Sequence, residues 1–182
     1  MNPGGRRLPG ADAGRWRRAL DLFTAGLIIF ALWDLLVAPR FLDLPTERAP
    51  TMLLESPRGA LRIGQSSGRV TYLDFWATWC EPCRLSLPLV EAFARAHPDA
   101  DVLAIDVNES ESVAARYASE HGMHNVAFDV LGRAARAYGV VGFPTMVVID
   151  RRGFIRAKWT GFNPAIGLAM AHARSALALT AR

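Results

Sequence analysis

The chain of 182 residues holds two cysteines, Cys80 and Cys83, separated only by Glu81 and Pro82. A pair at this spacing can close a disulfide on itself and exchange it with another, the thiolate being the attacking species. The flanking residues favour that chemistry. Residues 70–76, VTYLDFW, are a β-rich run, and between Cys80 and Ala96 the apolar residues Leu85, Leu89, Val90 and Phe93 recur at helical spacing. The pair therefore opens a helix, where unpaired N–H groups and the dipole favour thiolate over thiol. Cys80, at the exposed edge, is expected to attack; Cys83, one turn on and more sheltered, is expected to resolve the mixed disulfide. Pro82 falls in the first turn, where its missing N–H costs little.

Other uses of two thiols are weaker fits. Attachment of a c-type haem needs His after the second cysteine, and position 84 is Arg. A zinc site needs two more ligands; His121 and His124 offer a pair, but a strand and most of a helix separate them from Cys83, unlike compact zinc motifs. Cu(I) held by the two soft thiolates stays open as a binding-module alternative. A purely structural disulfide would close too small a loop to stabilise much.

The elements that must position the pair alternate. Beyond the strand at 70–76 and the helix from Cys80 come a strand at Val102–Val107 and a helix at Ser110–His121, with Ser110 placed to cap it and Gly122 to stop it. A short helix follows at Arg133–Tyr138. Thr145–Ile149 and Phe154–Trp159 flank Asp150-Arg-Arg-Gly153 as a hairpin, and an Ala-rich helix over Pro164–Leu179 closes the chain. The order predicts an α/β fold with a mixed central sheet and helices on both faces.

With these elements in place, Asp74-Phe-Trp-Ala-Thr-Trp-Cys-Glu-Pro-Cys83, then Pro88, then Gly142-Phe-Pro-Thr145 resembles the thioredoxin superfamily. Within it, the block is most similar to membrane-anchored TlpA/ResA-like thiol–disulfide oxidoreductases, over about residues 50–180. The resemblance implies a thioredoxin-like fold with the redox-active Cys80–Cys83 disulfide in place of any cofactor, and no resident metal. It implies a cis Pro144 opposite the pair, with Phe143 offering backbone groups to a docking strand and Thr145 beside it. Trp79, Glu81 and Pro82 would shape the substrate groove. Asp74 matches the buried acid of thioredoxin, whose raised pKa suits proton exchange with Cys83; many TlpA-like proteins carry Asn there. Its competing role is a strand-end carboxylate bonded to backbone. Glu109 sits where ResA-like proteins place an acid near the thiols, although a charge at a helix start is an equally good reading. Thr160-Gly-Phe162 resembles, more weakly, exported oxidoreductases linked to copper tolerance.

Charge and hydropathy divide the chain. Residues 1–40 carry six Arg against Asp12, Asp21 and Asp34, while the remainder is nearly neutral, so no basic stripe serves a nucleic acid. Residues 1–18 read as a basic cytoplasmic segment. Residues 19–38, ALDLFTAGLIIFALWDLLVA, are expected to form a membrane anchor, with Trp16 and Trp33 at the interfaces. A cleaved signal lacks a good small-x-small site, and an amphipathic soluble helix would not place apolar residues on every face. Residues 39–50, with three prolines, read as a spacer, and 51–182 as the thioredoxin-like domain. That arrangement expects a single-pass protein of the bacterial inner membrane with its catalytic domain in the periplasm.

Glu81 beside Cys80 disfavours the thiolate, so the pair is expected to be reducing. An anchored reductant outside the cytosol needs a multi-span membrane thiol donor as partner, and the resemblance implies exported disulfide clients such as apocytochrome c. Oxidation or isomerisation of envelope proteins is the rival.

Overall fold

The computed structural model describes residues 12–36, 47–123 and 125–179. The chain divides into two units, Met1–Leu35 and Leu36–Arg182. In the first, a single helix α1 covers Asp12–Leu36. Its large side chains are exposed all round, from Leu22 and Phe30 to Trp33. The helix starts earlier than 19–38. No helix among the described residues is long and apolar enough to cross a membrane. Arg17, Arg18 and Asp21 near one end and Asp34 near the other leave an uncharged centre of twelve residues, well short of the ~20 that span a bilayer. The helix expected over residues 19–38 is present as far as Leu36, and a span across a membrane is not shown. Residues 1–11 of the basic segment, and Val37, Ala38 and 39–46 of the spacer, lie outside the described residues.

The second unit carries β1 (Met52–Leu54), β2 (Leu61–Ile63), β3 (Thr71–Trp76), α2 (Glu81–Ala96), β4 (Asp101–Val107), α3 (Glu111–Glu120), β5 (Val126–Asp129), α4 (Arg133–Ala137), β6 (Thr145–Ile149), β7 (Ile155–Thr160) and α5 (Ile166–Leu179). Five strands form one sheet in the order β5-β4-β3-β6-β7. β3, β4 and β5 run parallel, while β6 and β7 are antiparallel to their neighbours. β1 and β2 pair separately as a hairpin.

Central strands read as continuous apolar runs because both faces are covered. On one face Leu73, Phe75, Ile105 and Val147 pack with Ala134 and Tyr138 from the α4 region and with Leu54 and Ile63 of the hairpin. On the other, Tyr72, Met146 and Val148 meet Val90 and Phe93 of α2 and Met170 and Ala173 of α5. The same face continues as Trp76, Ala104, Val126 and Phe128 beneath α2 and Ala114 and Ala118 of α3. Strand alternation therefore puts Asp74, Trp76, Ala104 and Asp106 on the side that α2 covers.

One local expectation changes and another holds. Ser110 is the N-cap of α3, but its hydroxyl makes no cap bond and instead meets Ser112 Oγ at 3.2 Å. Gly122 does end that helix, with φ +63°. At Gly64 the backbone has φ +80°, and a Cβ there would lie 2.0 Å from the Pro50 carbonyl oxygen, so only glycine fits.

Candidate active site

Where β3 ends, the chain turns through Ala77-Thr78-Trp79 and enters α2. Cys80 is the N-cap, and Glu81 and Pro82 are its first helical residues. Cys80 Sγ accepts from Cys83 N–H at 3.2 Å, one of the orphan donors of the helix start. Cys80 and Cys83 are joined in a disulfide, with Cα atoms 5.2 Å apart. Sulfur therefore stands where the first turn's N–H groups point, the position at which a released thiolate would be stabilised. Both sulfur residues are buried in this oxidised state, Cys80 at 5% exposure against 0% for Cys83. The expected order of access holds, but Cys80 shows far less surface than an exposed edge would.

The surface around the pair comes from separate parts of the chain. Trp79 is 65% exposed, and its ring meets Phe143 edge-to-face, centroids 5.8 Å apart. Phe143 also packs on the cluster that contains Trp76, Cys80 and Cys83. The Phe143–Pro144 peptide is cis, as the resemblance implied. Glu81 and Pro82 are exposed beside the sulfurs. Glu81 forms an ion pair with Arg84, so its charge is partly offset one turn along the helix. Thr145 differs from the expectation of a substrate contact: it is fully buried, and its hydroxyl donates to Gly142 O at 2.7 Å and meets Thr160 Oγ1 at 3.0 Å. Its side chain fixes the loop that presents Phe143.

Two carboxyl groups approach the site from beneath. Asp74, on β3 and 1% exposed, has an Oδ2 with no hydrogen-bond partner among the described residues. Burial, reinforced by the charge of Glu91, pushes its pKa from 3.8 to about 7. A gap of about 10 Å³, near the size of one water, is lined by Asp74, Ser86, Pro144, Trp159 and Asn163. Ser86 Oγ donates to the Cys83 carbonyl at 3.3 Å, so the gap borders the buried cysteine's own turn. Glu109 stands differently from the acid expected near the thiols. Its Oε2 accepts the Thr78 N–H at 2.5 Å and its Oε1 the Thr78 hydroxyl at 2.6 Å, two residues before Cys80. Glu109 thereby holds the turn that carries Trp79 and Cys80.

Sequence reasoning missed Thr78, Ser86 and Asp106. The signal for Asp106 was present: a charged residue inside the apolar run VLAIDV, which a buried strand accommodates only for a reason. His124, of the His pair weighed against a zinc site, lies outside the described residues.

The Redoxin family profile matches residues 45–176. The chain belongs to the Redoxin family. A thiol-disulfide oxidoreductase ResA from Bacillus thuringiensis subsp. konkukian is 25% identical over 111 residues, covering 59% of this chain, and the chain spans 64% of that protein's length. ResA from Halalkalibacterium halodurans is 26% identical over 151 residues, 80% of this chain and 86% of that protein. Among solved structures, the thiol:disulfide interchange protein DsbE from Chlorobium tepidum superposes with a TM-score of 0.67 at 32% identity, over 72% of this chain and 96% of that one. These relatives are named for thiol–disulfide exchange, and the Chlorobium tepidum structure shares the fold of this Redoxin domain.

Proposed function

We propose that this Redoxin protein is a thiol–disulfide oxidoreductase that reduces disulfides in exported proteins. The observation that carries the reading is the Cys80–Cys83 disulfide at the α2 N-terminus, facing the Phe143–Pro144 loop. In the reduced protein, Cys80 thiolate attacks one sulfur of a client disulfide, and the other client sulfur leaves as a thiolate and takes a proton. Cys83 then gives its proton to Asp74 and attacks Cys80 Sγ, releasing the second client thiol. Two electrons pass to the client, and the pair is left oxidised, as found. Trp79 and Phe143 give an apolar platform beside the sulfurs, and the backbone at Phe143 offers pairing to an extended client segment.

Names of the relatives, ResA and DsbE, support a client among exported proteins, apocytochrome c with its Cys-x-x-Cys-His disulfide being the candidate. The exposed apolar surface of α1 supports tethering at the bacterial inner membrane with the oxidoreductase domain outside the cytosol, and a domain so placed requires a membrane thiol donor to restore it. A reducing poise follows from Glu81 at the first helical position, moderated by its pairing with Arg84. The test is equilibration of the full-length protein with glutathione, followed by reduction of a synthetic Cys-x-x-Cys-His peptide disulfide. The reading expects stoichiometric reduction of the peptide and a potential below about −160 mV; a more oxidising value reassigns the protein to disulfide formation.

A further inference from the structure

Asp106 lies on β4 beside Trp76 of β3 and is fully buried. Neither of its carboxyl oxygens accepts a hydrogen bond from any donor among the described residues. An ionised carboxylate left this way would carry an uncompensated buried charge, costly enough that such groups take up a proton instead. Asp106 is the register partner of Trp76. Thr78, two residues past Trp76, is held by Glu109, three residues past Asp106, so the strand pairing brings this second carboxyl to the same end of β4. Glu109 is the carboxyl whose hydrogen bond helps to raise the Asp106 pKa. Two carboxyl groups in contact form a hydrogen bond only when one is protonated. Which one holds the proton follows from the partners: both Glu109 oxygens accept from Thr78, at 2.5 and 2.6 Å, so Glu109 has acceptor bonds that stabilise its charge. Asp106 has none and is left as the donor.

We propose that Asp106 is a positioning residue of the thiol–disulfide site: held as a neutral acid, it donates to Glu109 and so locks the Thr78 turn that presents Trp79 and Cys80. The chain of contacts runs Asp106 to Glu109 to Thr78, and reaches the attacking cysteine two residues later. It rests on the exchange reading of Cys80 for its consequence in turnover, but not for its proton. Burial first, then the bond to Glu109, then the charges of Glu109 and Asp129 push the Asp106 pKa up to about 8. The other groups facing this pocket are Trp76 from β3, which does not titrate, Tyr117 of α3 against the Trp76 ring, and, once reduced, Cys80 and Cys83 of the same cluster. Above its pKa the pair would hold two negative charges, Glu109 would be driven from its place, and the turn would loosen. Asn at position 106 would donate an N–H to Glu109 at every pH, and so would keep the bond while removing the proton.

The test uses the full-length oxidised protein. Carboxyl-carbon NMR should show Asp106 still protonated near pH 7, and the Thr78 amide proton should titrate with it. In Asp106→Asn the Thr78 amide should keep its neutral-pH shift and stop titrating. Insulin-disulfide turnover should decline by roughly fivefold in the wild type above pH 9 relative to Asp106→Asn, the worth of about one hydrogen bond. An Asp106 carboxyl that is ionised at pH 6, or a Thr78 amide that titrates equally in wild type and Asp106→Asn, overturns the proposal. The carboxyl titration needs no variant, so it decides the matter even if Asp106→Asn does not fold. Should the NMR results hold in a protein that turns over no disulfide, the exchange reading fails and the proton assignment stands.

Discussion

Replacing Asp74 by Asn should stabilise the oxidised domain, and only at neutral and alkaline pH. In the native state burial holds this carboxyl at a pKa of about 7 against an ordinary 3.8. Between those values the folded protein keeps a proton that the unfolded chain has released, so stability falls as pH rises from about 4 to about 7 and levels off above. At about 1.4 kcal/mol per pKa unit, the ionised side chain costs about 4 kcal/mol at pH 8 relative to a side chain that is always neutral. A domain of this size has a urea m-value of about 2 kcal/mol/M, so Asp74→Asn should raise the urea midpoint near pH 8 by roughly 2 M. Near pH 4, where the native carboxyl is already neutral, the midpoints should agree to within about 0.5 M. Tryptophan-monitored urea titrations of the two full-length oxidised proteins at both pH values make the comparison. Coincident midpoints near pH 8 would refute the reasoning. So would an equal offset at both pH values, since that would reflect packing and not charge.

Other outcomes follow from the same geometry. Asp74→Asn should slow client turnover about 100-fold by depriving Cys83 of its proton acceptor, measured by stopped-flow reduction of a peptide disulfide. Thr78→Val should lower stability by about 2 kcal/mol, through loss of the hydroxyl donated to charged Glu109, and urea midpoints would reveal it. Phe143→Ala should reduce turnover of a protein client severalfold while leaving reduction of the enzyme's own disulfide by dithiothreitol nearly unaltered; an equal loss in both assays would remove Phe143 from the client platform. Gly64→Ala should destabilise by about 3 kcal/mol or more, because it combines a positive φ with collision against the Pro50 carbonyl, and thermal melts test it.

Much of this architecture was legible in the residues. Strands over 70–76 and 102–107 announced themselves as β-rich runs, but of the apolar positions marked on α2 only Val90 and Phe93 face the sheet: Leu85 and Leu89 are exposed, and Leu87 takes the buried place. β5 escaped notice because Val126–Asp129 is four residues long, too short for a period to emerge, and its place is fixed by pairing with β4. The β1–β2 hairpin, with three residues a side, escaped for the same reason. At the site, Cys80, Cys83 and Pro144 follow from local motifs. The roles of Glu109 and Thr145 do not, because they depend on contacts to Thr78 and Thr160, at separations of 31 and 15 residues. Local sequence fixes which residue starts a helix; it does not tell which loop a distant carboxylate will hold. In the N-terminal segment apolar composition foretold the helix, while a span of a bilayer is not shown among the described residues.

That Cys80 attacks and Cys83 resolves is tested most directly by mapping one covalent adduct. Reduced Cys83→Ser, mixed with an excess of a peptide disulfide and quenched with acid, should carry one peptide on Cys80 by intact mass and tryptic mapping, and Cys80→Ser should carry essentially none. If the adduct forms instead on Cys83 in Cys80→Ser, or in neither variant, the account of this site is wrong.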